Sequence, residues 1–113
     1  MHRTRRRPTH PGAILREDIL PASAVTLTEL AERLGVSRRT ISEIVHEHRP
    51  VTIDMAHRLS RAFGNSPEFW LRLQQAVDVW EALEENRDEY ARIRPLPSAG
   101  PAGATTREPA TRV

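Results

Sequence analysis

Between residues 10 and 92 the apolar side chains recur with the 3.6-residue period of a helix, and no stretch alternates at period two over a useful length. A chain patterned this way has no strand to offer a sheet, so the expected class is all-α, and its punctuation marks five helices. Pro11 suits a first helical turn, Ile14, Leu15 and Ile19 form one apolar stripe, and Pro21 is expected to end the first helix. Thr26 with Glu29 three residues on has the pattern of a capping box, and Leu27, Leu30, Ala31 and Leu34 supply a buried face until Gly35 stops the second helix. Ser37 caps a third helix, running from Arg38 to about His46, that buries Ile41, Ile44 and Val45 and finishes before Pro50. Thr52 caps a fourth whose Met55, Ala56, Leu59, Ala62 and Phe63 face inward before Gly64. Ser66, Pro67 and Glu68 serve as cap, first residue and first-turn acid of a fifth.

The fifth helix is longer than the others need. Its apolar residues Trp70, Leu73, Val77, Trp80 and Leu83 keep helical spacing, and the pattern runs on towards Tyr90, a length of about 35 Å at 1.5 Å per residue. Either its first half seals the core and the rest frays, or the stripe packs on a second subunit or partner, with Trp70, Leu73, Val77 and Trp80 as interface anchors.

With 113 residues the chain has room for one compact domain, expected over residues 10–92. Residues 1–9 read as a disordered arginine-rich arm, and residues 93–113, rich in Pro, Ala, Gly and Thr, as a disordered tail. There is no cysteine, which excludes disulfides and thiolate zinc sites. The opening segment has no apolar core of a secretory signal and no stretch is apolar enough to span a bilayer, so no membrane association and a cytoplasmic location are expected. The net charge of +2 hides an uneven distribution: residues 1–7 carry +4, residues 8–62 balance seven arginines with seven acids, and residues 63–92 set three arginines against seven acids. The folded body is not basic, so any nucleic acid must be met by a local patch. Every basic residue but the histidines is arginine, whose guanidinium makes bidentate contacts with bases and phosphates.

Leu27 to His46 has the pattern of a helix-turn-helix. That motif needs a small residue where its helices touch, a turn residue tolerant of positive φ, and apolar residues on both sides of the turn. Ala31, Gly35, and the set Leu30, Leu34, Val36, Ile41 and Ile44 meet these needs at the right spacing. A helix presented in this way enters the DNA major groove. Arg38 and Arg39 would each reach guanine O6 and N7 with two donors, Glu43 would accept from cytosine N4 or else pair with Arg39 one turn away, and Ser42 would serve a base or a phosphate. Thr26, Ser37, Thr40, His46 and Arg49 are the candidates for phosphate contacts, which fix register without reading sequence. The aromatic residues all lie beyond the motif, so no stacking platform for single strands stands beside the two arginines, and duplex DNA is the better ligand. One recognition helix covers few base pairs, which implies a homodimer on an inverted repeat with half-sites about one helical turn apart.

Catalysis finds little support. His46 and His48 flank Glu47, but residues two apart on a helix diverge, no metal-binding spacing occurs, and no nucleophile elbow or phosphate-cradling loop is present. No enzyme activity, metal or cofactor is expected.

His10-Pro11-Gly12, the run Leu30-Ala31-Glu32-Arg33-Leu34-Gly35-Val36-Ser37-Arg38-Arg39-Thr40-Ile41-Ser42-Glu43-Ile44, then Asp54-Met55-Ala56 with Arg58-Leu59, and Phe63-Gly64-Asn65-Ser66-Pro67-Glu68-Phe69-Trp70-Leu71 together resemble HigA-type (VapI-like) antitoxins of the Xre helix-turn-helix superfamily. The resemblance covers roughly residues 10–83 and implies a five-helix lambda-repressor-like (Xre/Cro) domain. It also implies a dimeric antitoxin that represses its own operon and neutralises a RelE-like (HigB-like) toxin that cleaves mRNA. Two positions depart from that pattern: Leu27 stands where the family has Gln, and His46-Glu47-His48-Arg49 replaces an Asn-Gly before a basic residue, which removes the glycine of an easy left-handed cap. A stand-alone repressor without a toxin, and an interaction module that has lost DNA binding, are the other readings of the same residues.

Overall fold

The computed structural model describes residues 6–97, so the expectations for residues 1–5 and 98–113 lie outside the described residues. Five helices and no strand are found among the described residues, as the periodicity requires. Helix α1 comprises residues 11–23, α2 Leu27–Leu34, α3 Arg38–Val45, α4 Ile53–Phe63 and α5 Pro67–Ala91. The contacts divide the chain into Met1–Ala82 and Leu83–Val113, a boundary inside α5.

In the first unit the core is made of Leu15 from α1, Leu30, Ala31 and Leu34 from α2, Ile41, Ile44 and Val45 from α3, Val51, Met55, Ala56 and Leu59 from the fourth helix and its approach, and Trp70 from α5. Apart from Val51, which precedes the fourth helix, these are inward positions that the 3.6-residue spacing selects. Ala62 is the exception, since it is exposed, and Ser60 takes a buried place on that helix instead. Helix α2 packs on α3 and α4, and α1 packs on α3.

Helix α1 does not end at Pro21. It begins with the α-helical turn Pro11–Ile14, widens to a π-helical segment over Leu15–Ile19, and closes with Leu20–Ser23 before Ala24 turns left-handed at φ 58°. A proline in a regular helix lacks an N–H and pushes its ring against the carbonyl four residues back. In the wider segment the Leu20 N–H reaches the Leu15 carbonyl five residues back, and the shifted carbonyls make room for the ring.

The opening His10-Pro11-Gly12 is a compact device. His10 is buried and caps the helix, its Nδ1 accepting from the Gly12 N–H at 2.9 Å, and Pro11 fills the first turn, where an N–H would have had no partner. A Cβ on Gly12 would run into the Ile44 carbonyl oxygen, so the absent side chain is what lets α1 lie against the backbone of α3.

In the second unit the end of α5 departs from helical geometry at Asn86 (φ −124°, ψ 24°), and Arg87 pairs with Glu84 at 2.8 Å. Leu83, Tyr90, Ile93 and Leu96 are exposed there.

Candidate nucleic-acid interface

Local chemistry fixes each end of the helix-turn-helix. Thr26 accepts the Glu29 N–H through Oγ1 at 3.1 Å while Glu29 accepts the Thr26 N–H at 3.0 Å, the reciprocal capping box that starts α2. Gly35 ends it at φ 74°, a left-handed conformation that costs a residue with a Cβ about 1–2 kcal/mol. Arg58, from α4, donates to the last-turn Leu34 carbonyl at 2.8 Å and is itself held by Asp54 at 2.8 Å, so the corner is pinned from outside the motif. Ser37 then caps α3, its Oγ accepting from the Thr40 N–H at 3.1 Å and lying 2.9 Å from the Thr40 hydroxyl.

Helix α3 buries Ile41, Ile44 and Val45 and turns Arg38 and Arg39 outward, both exposed, with Ser42 and Glu43 half-exposed beside them. Arg39 donates through Nε to Glu43 at 2.9 Å, and its side chain remains 83% exposed, with the Nη1 and Nη2 edge outside that bond. Arg49 donates through Nε and Nη2 to the other Glu43 oxygen at 2.9 and 2.7 Å. Hydrogen bonds from Arg39 and then Arg49 hold the Glu43 carboxyl below the usual carboxylate range. Both oxygens of Glu43 thus accept from arginine, as in the expected alternative in which it pairs with Arg39 one turn away. It is a brace between Arg39 on the helix and Arg49 beyond it.

The other candidates for phosphate contact fall at the ends of these helices. Thr26 and Ser37 are exposed caps, Thr40 is half-buried in the first turn of α3, and His46 ends that helix with its Nδ1 on the Ser42 carbonyl at 2.8 Å. Beyond it Glu47 is left-handed at φ 66°, and the His48 backbone N–H donates to the Glu43 carbonyl at 2.7 Å. That is the arrangement in which glycine ordinarily closes a helix, here made with glutamate.

The expected interface anchors divide. Trp70 is wholly buried in its own unit, its indole N–H donating to Asn65 Oδ1 at 2.9 Å and its ring meeting Phe69 edge-on at 5.0 Å. Val77 is buried as well. Both are core residues and cannot anchor another chain, because the face of α5 that carries them seals the first unit. Leu73 and Trp80 are half-buried. Sequence reasoning missed Gln74, a buried amide that accepts the Val51 N–H at 2.9 Å and donates to Asp78 at 2.9 Å. It also missed Arg16 and Glu47, whose partners are far along the chain. The only local hint was the absent glycine at the end of α3. No group of three or more His, Asp or Glu placed to hold a metal occurs among the described residues, and no helix there is long and apolar enough to cross a membrane.

A family model described as helix-turn-helix matches residues 22–70, which contain α2, the glycine corner, α3 and α4. Antitoxin HigA-1 of Vibrio cholerae is 38% identical over 96 residues, covering 85% of this chain and 90% of the relative. The chain belongs to the HigA family of helix-turn-helix antitoxins. An uncharacterised HTH-type transcriptional regulator of Escherichia coli K12, YbaQ, is 40% identical over 95 residues, covering 82% of this chain and 84% of its own length. The solved structure of Pseudomonas aeruginosa antitoxin HigA with the higBA promoter superimposes with a TM-score of 0.76 at 40% identity, over 80% of this chain and 99% of that one. HigA-family membership fits the exposed arginines and glycine corner of α2 and α3, and it is a family of DNA-binding regulators, not an enzyme class.

Proposed function

We propose that this chain binds duplex operator DNA through α3, represses its own operon as a homodimer on an inverted repeat, and neutralises a RelE-like, mRNA-cleaving toxin. The observation that carries the DNA part is the outward pair Arg38 and Arg39 on a helix capped by Ser37 and fixed at the Gly35 corner. Two guanidinium groups at the N-terminal end of such a helix suit guanine O6 and N7 in the major groove. Arg39 arrives oriented by Glu43, and Thr26, Thr40, His46 and Arg49 flank the pair as phosphate contacts. The relative bound to its promoter supports this use of the fold.

The toxin part rests on family membership and on charge. Exposed acids Glu85, Asp88 and Glu89 in the second unit suit a basic partner that acts on RNA. The name of the Escherichia coli relative favours a second reading, a repressor without a toxin. Footprinting of the promoter upstream of the gene tests the DNA contact: the double substitution Arg38→Ala and Arg39→Ala is expected to erase the footprint with helical content unchanged, and a surviving footprint would refute the assignment. Co-purification with the product of a small basic reading frame next to the gene separates the two readings.

A further inference from the structure

Glu47 sits where α3 ends, in a left-handed conformation that only glycine adopts freely. Its carboxylate is only 24% exposed and is held from two directions. Arg16 of α1 donates to Glu47 Oε2 at 3.1 Å and, through its other terminal nitrogen, to the Val45 carbonyl at 2.6 Å, so one guanidinium satisfies both the helix end and the left-handed residue two positions on. Arg7, from the arm before α1, donates to Glu47 Oε1 at 2.8 Å and to Glu81 of α5 at 2.9 Å. Burial opposes the charge on Glu47, but the hydrogen bonds from Arg7 and Arg16 outweigh it and keep the carboxyl below its ordinary range. A carboxylate at the exit of a DNA-facing helix would repel phosphate unless it were neutralised, and a strained turn there would let the helix end move.

The geometry points to Glu47 as a positioning residue for DNA recognition, one that couples Arg7, ahead of α1, to the recognition helix. Arg7 then acts on operator binding largely by way of the set of α3, and not as an independent cationic contact. This inference rests on the proposed DNA-binding role of α3.

A double-mutant cycle of Arg7→Ala and Glu47→Gly on the full chain tests it, because glycine keeps the left-handed turn while removing the carboxylate. Binding is measured to a duplex of the promoter upstream of the gene and to a scrambled duplex of equal length. Each single variant is expected to lose roughly tenfold in preference for the promoter duplex, and the double variant no more than the weaker single. Losses that multiply in the double variant would show Arg7 and Glu47 acting separately and overturn the coupling, as would unchanged preference in either single variant. Amide exchange without DNA supplies a second reading, in which Arg7→Ala speeds exchange of the His48 N–H that closes the turn. Unaltered exchange would also sink the coupling. A wild-type chain that shows no preference for the promoter duplex would instead refute the DNA-binding proposal, while the exchange experiment still decides whether Arg7 holds the turn.

Discussion

At the scale of single residues the interface depends on atoms that are missing as much as on those present. Gly12 is the sharpest case, because a methyl group there has nowhere to go but into the Ile44 carbonyl. Gly12→Ala is expected to lower stability by ~1–3 kcal/mol, the usual cost of overpacking, readable as a shifted urea midpoint. Promoter binding should weaken with it, since Ile44 belongs to α3. Glu43 gives a different signature. Glu43→Gln removes a negative charge from the side proposed to face DNA, so affinity for scrambled duplex should rise, while the brace on Arg39 weakens and the preference for the promoter duplex should fall. Competition binding with both duplexes measures the two directions at once, and a parallel rise in both affinities would show that Glu43 only repels. Residue identities were legible where partners lie three or four positions apart, as with Thr26 and Glu29, Ser37 and Thr40, and Arg39 and Glu43. Arg16 and Glu47 meet across 31 positions and Arg7 and Glu47 across 40, and no spacing rule reaches that far.

At the scale of elements, caps and glycines placed α2, α3 and α4 almost to the residue, because each start is capped by a hydroxyl that accepts from its own first turn. Helix α1 was misjudged at Pro21 for the complementary reason: a π-helical segment depends on how the chain packs, and nothing in Leu15 to Ile19 announces it. The start of α1 carries a pH-dependent weakness. Burial pushes the His10 imidazole down from its ordinary value, Glu47 opposes that shift, and the neutral ring is the form whose Nδ1 can accept from Gly12. The folded state therefore takes up this proton at a lower pH than the unfolded chain does, whose value is about 6.5. Stability from neutral His10 is complete above that pH and declines as the pH falls from it towards the folded-state value. Thermal melts between about pH 5 and 8 should show this loss, and His10→Asn, which keeps a capping oxygen but does not titrate, should flatten it. Equal pH dependence in the two proteins would assign the effect to another group. Ser37→Ala should cost about 1 kcal/mol through the lost cap on α3, measured by the same melts.

At the scale of the molecule, an apolar stripe on a long helix is ambiguous until something shows which side the core occupies. Trp70 and Val77 turn out to close the first unit, so Trp70→Ala is a folding lesion, expected to cost ~3–5 kcal/mol, and not a probe of assembly. Assembly on DNA is better probed through charge. A body whose residues 8–62 balance seven arginines against seven acids has little general attraction for DNA, so each phosphate contact makes a countable difference to salt dependence. One guanidinium released from one phosphate lowers the slope of log affinity against log salt by about 0.9. Arg49→Ala removes one such contact per chain, so on the proposed inverted repeat the slope should fall by about 1.8, twice that single-contact value, because two copies lose it together. A fall near the single value would mean that one copy binds alone, and an unchanged slope would mean that Arg49 serves Glu43 and never reaches the backbone. The measurement needs only a salt titration of both proteins on the same promoter duplex, and its three outcomes separate the number of copies from the role of the residue.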